Sequence, residues 1–207
     1  MKGRLAVLIA TGALAAASMA APKPAAKPAA APAKPAAAAR DVDVVPAKAA
    51  VPANSKAFEP VAQVLLSPRC RNCHPAGDAP LQTDASRPHT MNVRRQIEGL
   101  GANCKTCHNA ANGAMAHQPP GSPHWGMPPA ATPMVFEGKS SSELCRDLKD
   151  PAKNGKRSLE DLVHHVSSDA LVLWAWKPGP GRNPPPLSHE EFSAAFKKWA
   201  DQGGPCP

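Results

Sequence analysis

The residues able to do chemistry stand in two short runs, Cys70-Arg71-Asn72-Cys73-His74 and Cys104-Lys105-Thr106-Cys107-His108, 34 positions apart. Two thiols separated by two residues in one helical turn can each add across a vinyl group of a single porphyrin. The histidine that follows then lies under the iron as an axial ligand. The runs therefore predict two haem c groups, attached through Cys70, Cys73, Cys104 and Cys107, with His74 and His108 as the proximal iron ligands. Two CxxC pairs can also hold one zinc, but the 30 residues between these pairs exceed the usual spacing of about 15–20. Zinc also gives no reason for a histidine directly after both. A thioredoxin-like dithiol needs a βαβ context that is absent here.

The second axial ligands must come from elsewhere. His89 follows the first run at a predicted helix entrance, and His124 follows the second in the stiff loop Ser122-Pro123-His124-Trp125-Gly126-Met127-Pro128-Pro129. These two histidines are the leading candidates. Met127 competes because it precedes a proline in a loop, and Met134 and His165 rank below it. His117, His164 and His189 read as loop, surface and helix-start residues. The choice matters because two imidazoles lower the reduction potential relative to His/Met ligation. Arg94, Arg95 and Arg182 are candidates to pair with propionates through the planar guanidinium fork. Trp174, Trp176 and Trp199 read as packing around the haems.

The elements that must position these groups are helical. Ser55 is a candidate N-cap before Phe58, Val61, Val64 and Leu65, whose spacing is that of one helix face running up to Pro68. A second helix is predicted from Thr90, with Val93, Ile97 and Leu100 on one side. Ser140-x-x-Glu143 is a capping box for a third, carrying Leu144 and Leu148 until Pro151. Ser158 opens a fourth with Leu159, Leu162, Val163 and Val166. Ser188-x-x-Glu191 opens the last, with Phe192, Ala195, Phe196 and Trp199. Residues 119–133 and 177–186 are too rich in Pro and Gly for helix or sheet. Only residues 170–176 read as extended and buried.

The 207 residues include 26 prolines and only four Phe and four Trp, with no Tyr, so one modest domain is the most the chain can build. Residues 1–20 have the pattern of a secretory signal: Lys2 and Arg4, an apolar run over 5–17, then small residues. The apolar run is short for a membrane span, so a cleaved signal and a mature form without a span are expected; an uncleaved anchor that tethers the protein is the alternative. Residues 21–57 are almost entirely Ala, Pro and Lys and predict a disordered, extended linker. The net charge of +8 dissolves on division: residues 1–57 carry 8 Lys and Arg against 2 Asp and Glu, leaving 16 against 14 in residues 58–207. Without a basic stripe, no nucleic-acid partner is expected. Cys145 and Cys206 remain after the four motif cysteines. In an exported protein they predict a disulfide closing a loop of about 60 residues, with two free thiols as the alternative.

Together, both CxxCH runs and the loops behind them resemble the diheme c-type cytochromes of bacterial periplasms. The helices over 58–66 and 188–202 are similar in placement to the two packed terminal helices of class I cytochrome c. Residues 87–95, Pro123-His124-Trp125 and Leu171-Val172-Leu173-Trp174-Ala175-Trp176 resemble a set of small diheme proteins, so the likeness covers nearly all of 58–207. The departure from a plain class I pattern is the second motif inside one fold, which bears directly on Met127. The expectation is an all-α, cytochrome c-like domain whose long Pro/Gly-rich loops pack around two covalently bound haems. Its expected role is periplasmic electron transfer to and from redox protein partners: a dehydrogenase, a quinol-oxidising complex or another cytochrome. The alternatives are a peroxidase-like diheme enzyme with one open-coordinate haem, and a cytochrome subunit of a larger oxidoreductase.

Overall fold

The computed structural model describes residues 53–100 and 103–207, with side chains placed at 56–97 and 103–207. The expected signal over 1–20, and all but the last five residues of the expected linker over 21–57, lie outside the described residues.

Helical structure opens with a 3-10 turn, Ala53–Phe58, that runs into α1 (Glu59–Leu65), with Pro60 tolerated in the first turn. Ser55 therefore sits inside the turn and does not cap α1. The short α2 (Pro68–Arg71) follows at once. Three helices begin with reciprocal capping boxes: α3 (Ser141–Lys149) at Ser140 and Glu143, α4 (Leu159–Ser168) at Ser158 and Asp161, and α6 (His189–Asp201) at Ser188 and Glu191. In each, the serine hydroxyl accepts an N–H at the third helical position and the carboxylate accepts the serine's own N–H.

The core lies where α1, α3, α4 and α6 meet. It contains Phe58, Val61, Val64, Leu144, Phe192, Phe196 and Trp199, all at most 1% exposed. Burying each such side chain stabilises the fold by about 1.5–3 kcal/mol. Trp199 packs against Phe58 and Phe196, with ring centres 5.1 and 5.2 Å away. Cys145 and Cys206 are bonded, so the C-terminal tail is fastened to α3. Lys149 Nζ reinforces this by donating to the carbonyls of Gly203 and Gly204, and Trp199 Nε1 donates to that of Pro205.

Four expectations are corrected. The helix predicted from Thr90 is broken. A 3-10 turn, Thr90–Asn92, contains Met91 at φ 62°, with Asn92 also left-handed and Val93 extended, before a second 3-10 turn, Arg95–Leu100. Residues 170–176 are not extended: Ala170–Trp174 is α5, because the Asp169 carboxylate caps it by accepting from Leu171 and Val172 N–H. A minimal antiparallel pair, β1 (Leu81–Gln82) with β2 (Arg87–Pro88), was not legible because two-residue strands show no alternation. Trp199 is enclosed in the protein's own core, and Trp176 packs at its edge against Phe192. Among the described residues no helix is long and apolar enough to cross a membrane.

Candidate functional site

The first CxxCH run begins inside α2. The chain leaves α1 at Leu66, turns at an extended Ser67, and Pro68 starts the short helix that carries Cys70. Cys70 touches the core cluster, so this run is set against the helices. Residues 134–137 grip His74 from two directions. Its Nδ1 lies 2.7 Å from the Met134 carbonyl oxygen, while its own carbonyl accepts from Phe136 and Glu137 N–H. The Phe136 ring stacks on the imidazole at 4.0 Å and 12°. A carbonyl can only accept, so Nδ1 carries the proton and Nε2 keeps its lone pair. Burial pushes the imidazole down to about 4, overcoming the opposing pull of its backbone hydrogen bonds, so it is neutral at pH 7.

The second run repeats this plan with unrelated segments. Asn103 caps a single 3-10 turn, Cys104–Thr106. His108 Nδ1 donates to the Pro120 carbonyl at 2.7 Å, and Trp125 stacks on its ring at 4.6 Å and 9°. Burial lowers its pKa as well. Asn112 locks the loop that supplies both groups. Its Oδ1 accepts from Gly121 N–H at 3.0 Å and from Trp174 Nε1 at 2.9 Å, and its Nδ2 donates to the Lys177 carbonyl at 2.8 Å. Trp174 in turn meets Trp125 edge-on at 4.8 Å. Gly121 is required by close approach, since a Cβ there would stand 2.1 Å from the Ala111 carbonyl oxygen.

The two runs are neighbours, close enough for the Cys104 thiol to bear electrostatically on Cys73. Burial pushes Cys70 up to about 12 and Cys73 up to about 11, opposite to the lowered thiols of a dithiol redox catalyst. No three His, Cys, Asp or Glu among the described residues converge as a bare cation would need. The zinc reading therefore finds no ligand set.

The predicted second ligands are separated. His89 comes to the second run, its ring centre 6.1 Å from that of His108. His165 is the imidazole outside the CxxCH runs whose charge bears on His74; its Nδ1 stands 3.6 Å from the Asp169 carboxylate. His124 is exposed, Met127 is half-buried, and Met134 contributes its carbonyl to His74. His189 occupies the start of α6 against Trp176, and His117 and His164 are exposed.

Arg94 is exposed, whereas Arg95 and Arg182 donate to backbone carbonyls of Pro128 and Gln118. Arg69, not singled out in the sequence, pairs with Asp84 and is nine-tenths buried. The Nε atoms of Arg69 and Arg95 are both buried without a hydrogen-bond acceptor, although that of Arg95 stands 3.6 Å from an Asp78 carboxylate oxygen.

The residues present fit a covalent porphyrin at each run. Each has two thiols, a neutral imidazole with Nε2 available, an aromatic backing and, at the first run, buried guanidinium nitrogens that lack an acceptor. Sequence reasoning named Met134 only as a sulfur ligand and missed Pro120, because both act through backbone carbonyls, which no side-chain pattern reports. Their only trace is a proline immediately before each. No family model matches the chain, and neither a curated protein nor a solved structure is significantly similar to it.

Proposed function

We propose that this chain is an exported, periplasmic electron carrier bearing two c-type haems. Cys70 and Cys73 hold one and Cys104 and Cys107 the other, with His74 and His108 as proximal ligands. The observation that carries the reading is the repeated setting of these two histidines. Both donate Nδ1–H to a loop carbonyl and both stack on an aromatic ring, which leaves Nε2 as the nitrogen for a metal. Two unrelated segments produce the same arrangement, which is what two equivalent iron ligands require.

A haem iron supplies reversible one-electron exchange when bound. The chain's own residues orient the imidazoles and shield one face of each with Phe136 or Trp125, and Arg69 and Arg95, each already beside a carboxylate, would bring positive charge to the propionates. His89 lies beside His108 and would offer a second imidazole there, which suits a carrier passing electrons between protein partners such as a dehydrogenase and another cytochrome.

The test is carbon monoxide binding by the ferrous protein, matured in a host competent for haem c attachment. Two haems per chain that ignore the gas are expected. A colourless chain whose mass lacks both tetrapyrroles overturns the reading. One gas-binding haem in the unaltered protein transfers it to the class of small redox enzymes.

A further inference from the structure

We infer that His89, delivered by the hairpin that belongs to the first CxxCH run, is the second axial ligand of the iron at the second run, opposite His108. The inference rests on the haem reading above and deepens it.

Two imidazoles bound trans to one iron at about 2 Å each place their ring centres roughly 6 Å apart. The separation here is 6.1 Å, with the planes inclined at 57°. Face-to-face rings lie closer, as His74 and Phe136 do at 4.0 Å, while inclined pairs in the core reach 5.8 Å, as Phe192 and Phe196 do. No hydrogen bond joins the two histidines, so the gap is not spanned by a proton. His89 also has the tautomer a ligand needs, because its Nδ1 lies 2.7 Å from the Thr90 carbonyl and Nε2 is left available. The other two imidazoles assigned to iron, His74 and His108, share this feature.

The mount is rigid and comes from the first run itself. Residues 81–88 are tied down by the residues around and between its cysteines. Leu81 N–H donates to the Asn72 carbonyl, Asn72 Nδ2 donates to the Thr83 carbonyl at 2.8 Å, Arg71 donates to Ser86 Oγ at 2.8 Å, and Arg69 pairs with Asp84. His89 N–H then closes onto the Pro80 carbonyl at 2.9 Å. Arg71 and Asn72, the two residues between Cys70 and Cys73, are thus positioning residues for the other run's ligand.

The proposal is tested with His89→Ala in the full two-haem protein. Haem content by the pyridine haemochrome assay should stay at two per chain. One of the two ferric haems should change from low to high spin by paramagnetic resonance, one ferrous haem per chain should bind carbon monoxide, and added imidazole should restore the low-spin signal. Arg71→Ala should weaken the same low-spin signal while leaving the other haem unchanged. The iron concerned is identified in chains with one attachment site. His89→Ala should open the haem when Cys70 and Cys73 are serine and have no effect when Cys104 and Cys107 are serine. If the single-haem chains do not mature, a crystal structure of the two-haem protein decides whether His89 Nε2 is bonded to the iron beside Cys104 and Cys107. Two haems that stay low-spin and silent to carbon monoxide in His89→Ala, or His89 bonded to the first iron, overturn the inference and leave the carrier reading standing. Absence of haem from the unaltered protein removes both.

Discussion

Asn112→Ala should disturb the second site more than its place in an irregular loop suggests. The substitution removes one acceptor shared by Gly121 N–H and Trp174 Nε1, and one donor to the Lys177 carbonyl. At about 1 kcal/mol net for each of two partly buried hydrogen bonds and less for the exposed one to Lys177, the loss is about 2–3 kcal/mol. With a guanidinium slope of roughly 3–4 kcal/mol/M for a domain this size, the midpoint falls by about 0.5–1 M. Asn112→Asp keeps the acceptor and loses only the donor to Lys177, so it should cost about 1 kcal/mol. The assay is guanidinium unfolding of the oxidised two-haem protein, followed by helix signal and haem absorbance. A redox titration should show one of the two potentials displaced, because Gly121 adjoins the Pro120 carbonyl that orients His108. The reasoning fails if Asn112→Ala unfolds within about 0.5 kcal/mol of the parent, or if Asn112→Asp is as damaging.

Two further outcomes follow from the helical half. Replacing Cys145 and Cys206 together by serine should destabilise by about 4 kcal/mol in the chain-entropy account, since the bond closes a loop between positions 61 apart. A loss under about 1 kcal/mol in denaturant unfolding would refute that account. Burial opposes ionisation of Asp147, yet hydrogen bonds from Lys153 and Lys139 outweigh it and hold the carboxyl below its usual range. A depressed folded-state pKa stabilises fully above the unfolded value of about 4 and loses that contribution as pH falls through the folded value. Asp147→Asn should therefore cost about 1–2 kcal/mol at neutral pH and flatten the acid side of the stability curve below about pH 4. Unfolding midpoints of parent and variant that run parallel from pH 7 to 2 would contradict it.

The capped helices were legible in the sequence because their signals are local. Ser140, Ser158 and Ser188 each stand three residues before an acidic partner and just ahead of an apolar stripe, and all three helices begin there. The disulfide was legible by elimination once four cysteines had been set aside. The break at Met91 was not, since Met91 and Asn92 take left-handed backbone that the apolar spacing of Val93, Ile97 and Leu100 does not announce. Asp169 as the cap of α5 escaped notice because it directly follows α4, where one apolar pattern merges into the next. The pairing of the site residues was hidden for a different reason. Proximity in sequence attaches His89 to the first run and His124 to the second, whereas the short hairpin carries His89 across to His108 and leaves His124 exposed.

That hairpin also limits which changes of length the chain can absorb. Surface turns ordinarily accept insertions, but here the tip is fastened: Asp84 to Arg69 and Asn183, and Ser86 to Arg71. Adding or deleting one residue between Asn72 and His89 would shift the imidazole by about 3 Å, farther than a bond to iron can stretch. On the proposed ligation, the count of sixteen intervening residues would be as strict a part of the site as the two between each pair of cysteines.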